Sequence, residues 1–437
     1  MSNELIIVKK SKALKGTVNV DGAKNSVLVL LASTALIDGK FIFDNVPLLE
    51  DVFVMVKLLE SLGSKVIFDT SKKRLEINSQ IKDFNISHDL LSKMRASILV
   101  LAPILSRFKM ATFGLPGGCN LGKRPLDYHL KALESLGVKF ENINDSYCGK
   151  LDFFKAGKIV LDYPSVGATE TAMLAAVMCS GVTRIINAAL EPEIIDLTNF
   201  LKKMGADICY ELPATIIIKG GCKLRPTNHK IMPDRIEAGS LICAALATKG
   251  EIELTNVKPS DMDLFLTKIS DMGHIVEISE NRLFCKYQKE SKSVSLRTAP
   301  YPGFPTDLLA PFTVLLAVTP GESHVQEGVF DNRLGHLKKI IKMGADIDIY
   351  NKTNATIGYT KSLNADNLSA DNLRAAFALA IAGMVSEGTT IISGVNHWRR
   401  GYGETLEKLK KLGADIDIVY EDYLDNEKNI NFEIENC

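Results

Sequence analysis

LKALESLGVKF, residues 130–140, is a compressed instruction for a helix, a stop and a strand. Leu130, Leu133 and Leu136 recur at the spacing that puts them on one helical face. Gly137 supplies the left-handed residue that ends a helix, and Val138 and Phe140 then alternate as a half-buried strand does. The phrase returns along the chain as LESLGSKV (59–66), LKKMGADI (201–208), ISDMGHIV (269–276), IIKMGADI (340–347) and LKKLGADI (409–416). The glycines Gly63, Gly137, Gly205, Gly273, Gly344 and Gly413 therefore mark six units of about 70 residues each.

A companion phrase precedes each amphipathic helix: an apolar helix, a glycine turn, a short strand and a loop. LLASTALIDGKFIFDNV (30–46) and ICAALATKGEIELTNV (242–257) are two examples. These helices are apolar almost all round, which places them in an interior. The expected fold class is α/β (α+β): a two-lobed, inside-out α/β barrel of six βαβαββ-type repeats, three per lobe. Residues 25–232 are expected to form the first lobe, and 1–24 with 233–437 the second. At 437 residues, with apolar residues at 46%, the chain is long enough for two cores.

Lys plus Arg equals Asp plus Glu, at 52 each, so no global field favours nucleic acid or an anionic membrane. The opening MSNELIIVKKSKALKG lacks an apolar run of signal-peptide length, and the longest apolar runs are too short to span a bilayer. The eight cysteines show no CxxC and no metal-ligand spacing, and six of them sit beside apolar residues as buried thiols would. A reduced, cytoplasmic protein without a metal is expected.

The apolar helices open on polar residues that packing alone would not choose: GAKNS, KMRAS, SVGATE, PDRIEAG, FPTDL and DNLRA. The loops before the amphipathic helices are equally polar: LPGGCNLGKRPLD, EPEIID, FDNRLGH and NHWRRGYGE. Equivalent ends of repeated units point the same way, so these N-termini should converge. They carry Lys24, Arg95, Lys123, Arg124, Arg235, Arg333, Arg374 and Arg400. A cation at a helix N-terminus is unfavourable by about 0.3–1 kcal/mol. Repeating it makes sense where an anion compensates, which predicts a ligand rich in phosphate or carboxylate.

With these residues in place, the chain resembles the UDP-N-acetylglucosamine 1-carboxyvinyltransferase family, within the superfamily that includes the shikimate-pathway enolpyruvyl synthase. The resemblance runs from Gly16 to Gly413. It rests on GAKN (22–25), MRAS (94–97), LPGGC (115–119), RPLD (124–127), SVGAT (165–169), EPEI (191–194), PDRIE (233–237), FPTD (304–307), NR (332–333), LRA (373–375) and RGY (400–402). It implies enolpyruvyl transfer from phosphoenolpyruvate to UDP-N-acetylglucosamine by addition and elimination, early in peptidoglycan synthesis, with no cofactor. Asp307 then takes the hydroxyl proton. Cys119 is the loop thiol that serves as proton donor or assists product release, and that fosfomycin alkylates. Lys24, Arg124 and Arg400 hold phosphoenolpyruvate, Arg95, Arg333 and Arg374 add cleft cations, and Asn25 holds the tetrahedral intermediate. Arg124, Pro125, Leu126, Asp127, Ser165, Val166, Gly167 and Val329 match the uridine-diphosphate contacts, with His129 and Glu191 as further cleft candidates and Tyr163 where some relatives have lysine.

The second half departs from the family pattern. The acid usual before LRA is Asn372, with Asp371 one residue earlier, so either a one-residue slip restores the carboxylate or it is lost. Arg399 replaces an Asp and Gly403 a Glu around RGY. These departures leave open a paralogue acting on another uridine nucleotide. A non-catalytic UDP-sugar-binding protein is opposed by the joint presence of Cys119, Asp307 and Lys24.

Overall fold

The computed structural model describes residues 4–114, 126–143 and 146–421. Within it the apolar runs form helices Lys24–Ser33, Leu101–Phe108, Val166–Ala176, Arg235–Ala247, Thr306–Ala317 and Leu373–Val385. A 3₁₀ segment, Arg95–Val100, leads into the second of these. Every residue of Arg235–Ala247 is buried, as is every residue from Leu373 to Met384. These are core helices whose polar groups cluster at one end, as the sequence predicts.

Each of the first five core helices is followed by a strand, an amphipathic helix and a two-stranded hairpin; after the sixth, among the described residues, Ile416–Tyr420 pairs instead with the opening strand Glu4–Lys9. The amphipathic helices are Glu50–Ser61, Asp127–Glu134, Pro192–Met204, Asp263–Asp271, Leu337–Lys342 and Thr405–Lys411. The six repeated glycines follow them at φ between 89° and 113°, the left-handed region where a Cβ is strained.

The strands form five four-stranded sheets, one three-stranded sheet and one strand pair among the described residues. In a representative sheet, Gly39–Asp44 lies antiparallel to Arg74–Ser79 and parallel to Asn228–Lys230. The sheets cover the outside of the helices, and hydrogen bonding does not continue from one sheet to the next, so the arrangement is inside-out without being a closed β-barrel. The first strand, Glu4–Lys9, sits in the middle of the last sheet, antiparallel to both Thr389–Ser393 and Ile416–Tyr420.

Buried apolar side chains gather in two clusters. One draws on residues from Val27 to Ile231, the other on Ile6 to Val20 together with Ile236 to Ile416. The chain crosses between them twice, side by side: Gly22 bridges Pro233, Ala23 N–H donates to Met232 O, and Asp234 N–H donates to Asp21 O. Gly22 is required there, because a Cβ would stand 1.9 Å from the Asn45 carbonyl oxygen.

The expectation for the cysteines holds only in part. Cys148, Cys179, Cys243 and Cys285 are buried, but Cys209 is exposed and Cys222 half-buried, because their strand and turn face outward.

Candidate active site

The helix N-termini meet around a cavity of about 680 Å³ lined from both apolar clusters. Of the residues singled out in the sequence, Lys24, Asn25, Arg95, Ser165, Val166, Gly167, Asp307, Val329, Arg333, Arg374 and Arg400 line it. Leu126 and Asp127 do not: Leu126 packs partly buried against the first cluster, and Asp127 is exposed at the start of a helix whose next residues, Tyr128 and His129, do line the cavity. Cys119, Lys123, Arg124 and Pro125 lie outside the described residues.

The cations are already matched by carboxylates of the protein itself. Asp51, 2% exposed, accepts Lys24 Nζ at 2.7 Å and Arg400 Nε at 2.8 Å. Burial pushes the Asp51 carboxyl up, but Lys24 and Arg400 outweigh it and hold it below the usual carboxylate range. Asp307 is gripped by Arg333 through Oδ1 and by Arg374 at 2.7 Å through Oδ2. Burial opposes its charge, yet the Arg374 and Arg333 guanidiniums keep it ionised, well below the usual range. Arg374 also donates to Tyr402 Oη at 3.1 Å, and its guanidinium lies 5.3 Å from the centre of that ring. Arg235 makes a two-pronged pair with Glu193 at 3.1 and 3.2 Å. The sequence argument that only a ligand anion could offset these helix-end cations is therefore corrected. Asp51 is shared by Lys24 and Arg400, Asp307 is shared by Arg333 and Arg374, and Arg235 pairs with Glu193, so carboxylates of the protein itself offset much of this charge.

The wall opposite belongs to Val166–Ala176 and its neighbours. Ser165 caps that helix, its Oγ accepting from Ala168 N–H at 3.4 Å. Gly167 lies against the His129 ring, where a Cβ would meet Cε1 at 2.8 Å. His129 Nδ1 pairs with Thr171 Oγ1 at 2.8 Å; burial, reinforced by the Arg95 charge, lowers its pKa to about 3, so the ring is neutral. Tyr163 lines the same wall, and burial followed by the Glu191 charge raises its pKa to about 12.

The departures near the C-terminus resolve geometrically. Asn372 caps Leu373–Val385, accepting from Arg374 and Ala375 N–H at 3.0 Å each, and lines the cavity. Asp371 turns outward to pair with Lys339, so no slip brings a carboxylate to this position. Arg399 pairs with Glu4 at 2.7 Å and, like Gly403, is absent from the cavity lining. A Cβ on Gly403 would meet Leu48 O at 2.2 Å, so a side chain is excluded there in this arrangement.

A match to the EPSP synthase (3-phosphoshikimate 1-carboxyvinyltransferase) family model covers residues 8–409. The chain belongs to the EPSP synthase family. Among its relatives, UDP-N-acetylglucosamine 1-carboxyvinyltransferase 1 of Caldanaerobacter subterraneus is 42% identical over 94% of this chain and 98% of that protein. UDP-N-acetylglucosamine 1-carboxyvinyltransferase of Finegoldia magna is 41% identical over 95% and 99%. The fold is shared with the enolpyruvyl transferase NikO of Streptomyces tendae, at TM-score 0.88 and 22% identity, covering 96% of this chain and all of that one. It is shared also with EPSP synthase of Acinetobacter baumannii, at TM-score 0.71 and 18% identity, with the same coverage.

Within this EPSP synthase family fold, three acids escaped the sequence reading. Asp51 and Glu193 are each the second residue of an amphipathic helix, Glu50–Ser61 and Pro192–Met204, and each holds a cation from a core-helix N-terminus. That shared register is a legible signal once the repeats are aligned. Glu327, 3% exposed, is the third: it accepts from Thr306 Oγ1 at 2.9 Å and from Val329 N–H at 2.7 Å, fixing the Val329 loop to the helix that carries Asp307.

Proposed function

We propose that this protein transfers the enolpyruvyl group of phosphoenolpyruvate to the 3-hydroxyl of UDP-N-acetylglucosamine, releasing phosphate, as the first committed step of peptidoglycan synthesis. The observation that carries this reading is the meeting, in one cavity, of the Lys24, Arg333, Arg374 and Arg400 cations with Asp307 and the Ser165–Gly167 helix start. Relatives of about 40% identity over nearly the whole chain carry the name of that reaction.

In this reading the cations take the carboxylate and phosphate of phosphoenolpyruvate, while Ser165, Val166, Gly167 and Val329 face the uridine diphosphate. Asn25, beside Lys24, faces the tetrahedral adduct, and Arg95 adds charge to the cleft. Arg124 and Pro125 are assigned to the same diphosphate contacts, whereas Leu126 and Asp127, matched to them by sequence, stand outside the cavity lining, and Cys119 supplies the thiol. Asp307 is a weak base while two guanidiniums grip it. A phosphate drawing on Arg333 and Arg374 relieves that grip, raises the basicity of Asp307 and lets it take the hydroxyl proton as the oxygen attacks C2. In the same step the C2–C3 double bond opens and C3 takes a proton from the Cys119 thiol; loss of phosphate from C2 and of a proton from C3 then gives the enol ether. The same cations then stabilise the departing phosphate.

The lobe division at 25–232 and 1–24 with 233–437 is part of the proposal, supported by the two apolar clusters and the paired crossovers. So is a cytoplasmic location; among the described residues no helix is long and apolar enough to cross a membrane.

Phosphate release from phosphoenolpyruvate, measured with UDP-N-acetylglucosamine, with UMP and without acceptor, tests the reading. Release only with UDP-N-acetylglucosamine, stopped irreversibly by fosfomycin, is expected. Release only with UMP would move the acceptor to another uridine nucleotide. That alternative is weakened by the positions of Arg399 and Gly403, neither of which lines the cavity.

A further inference from the structure

The cavity is chemically lopsided. Lys24, Arg333, Arg374 and Arg400 are grouped around Asp51 and Asp307, whereas Glu170, Glu191 and Glu193 lie close to one another with the Arg235 guanidinium. Glu193 is consumed by that guanidinium. Glu191 accepts the Tyr301 N–H at 3.3 Å through Oε1, but its Oε2 is buried with no hydrogen-bond partner. Glu170 is 5% exposed, lines the cavity, and among the described residues has neither a hydrogen bond nor an ion pair. A buried polar group left unpaired costs free energy unless something completes it. Glu191 Oε2 is such a group, and Glu170 lines the same cavity.

Glu170 stands one helical turn beyond Val166 and Gly167, so these residues share a stripe of the Val166–Ala176 helix. The stripe runs from the helix N-terminus, suited to a diphosphate, toward the acid-rich end, where the next part of the same ligand would lie. Resting on the acceptor assignment above, we propose that Glu170 is a specificity-determining residue that, with Glu191, brackets one hydroxyl of the acceptor's sugar. The Glu170 O–H donates a hydrogen bond to the hydroxyl oxygen, and the hydroxyl O–H donates one to Glu191 Oε2. A hydroxyl is both donor and acceptor, and this pair offers one of each.

Ionisation behaves as the role requires. Burial, with the charges of Glu193 and Glu191 beside it, raises the Glu170 carboxyl well above its ordinary value and so favours its protonated form. The other groups on this wall are Arg95, whose charge reaches His129, Arg235, already paired with Glu193, and the neutral rings of His129 and Tyr163. Of the carboxyls on this side, Glu170 alone lies on the helix carrying the proposed diphosphate contacts.

Calorimetric titration of the full chain with UDP-N-acetylglucosamine and with UDP, on wild type, Glu170→Ala and Glu170→Gln, tests this. Glu170→Ala is expected to weaken UDP-N-acetylglucosamine about tenfold and leave UDP unchanged. Glu170→Gln, whose amide N–H still donates, is expected to stay within about threefold of wild type at neutral pH. Raising the pH should weaken the sugar nucleotide in wild type as Glu170 ionises, and that dependence should vanish in Glu170→Gln. An unchanged affinity in Glu170→Ala, an equal loss for UDP, or a wild-type pH dependence retained by Glu170→Gln would each overturn the proposal. Should the acceptor assignment itself be wrong, wild type would bind UDP-N-acetylglucosamine no more tightly than UDP, before any variant is compared.

Discussion

Asp51 Oδ2 lies 2.7 Å from Lys24 Nζ, and the pair is buried at the cavity wall. Because Arg400 Nε reaches the other oxygen of the same carboxylate, Asp51 serves as an internal counter-anion for two cations. In Asp51→Asn the shape is kept and the charge that Asp51 offers Lys24 and Arg400 is lost, at a cost of about 3 kcal/mol. The melting temperature should fall. Excess inorganic phosphate should restore more stability to the variant than to wild type, since its anion site is vacated. Calorimetric melting with and without phosphate reads both effects; equal gains in the two proteins would refute the competition.

Asp307→Asn keeps the shape and removes the charge between Arg333 and Arg374. As the proposed proton acceptor, its loss should lower kcat by about a hundred- to ten-thousandfold. The KM for phosphoenolpyruvate should change far less, because the freed guanidiniums remain available to it. Steady-state phosphate release decides; a loss confined to KM would make Asp307 a binding residue only.

Acid should loosen this site before neutral pH does. The folded-state values of Asp51 and Asp307 are both depressed, so their stabilisation is whole above the unfolded aspartate value of about 3.9. It is lost as pH falls through the folded values. Melting temperature against pH should therefore drop on the acid side of about pH 4, with a shallower drop in Asp51→Asn. Glu170 and Glu191 carry the opposite sign: their raised values withdraw stability as pH climbs from about 4.3.

Gly167→Ala puts a methyl 2.8 Å from His129 Cε1 and 2.9 Å from Nε2. The ring, held by Thr171, cannot yield without breaking its hydrogen bond. The expected result is a loss of about 1–3 kcal/mol in stability and a raised KM for the acceptor, with kcat little changed. An unaltered acceptor KM would separate Gly167 from the acceptor site.

Much of this was legible because the repeat is written in local rules. Gly63, Gly137 and their four counterparts each need a backbone that only glycine adopts at low cost, so the period shows before any contact is known. The cations also show, because Lys24, Arg235 and Arg374 violate helix-end preference at equivalent positions. Asp51, Glu193 and Glu327 were harder. An acid in a first helical turn is ordinary, and only the fold reveals that each holds a partner distant in sequence. Asn372 shows the same limit from the other side. Its role as a cap was available locally, but whether Asp371 could replace the acid depended on Lys339, some thirty residues upstream.

The strand Glu4–Lys9 lies between two strands from the far end of the chain. During synthesis, the residues from Val27 to Ile231 can gather into their cluster as soon as they have emerged. The opening strand must wait, its edges unpaired, until Thr389–Ser393 and Ile416–Tyr420 arrive. The last sheet is thus a checkpoint on completeness: a chain truncated before Ile416 lacks one of the two neighbours its first strand needs, and a broken message yields one finished cluster beside an open one.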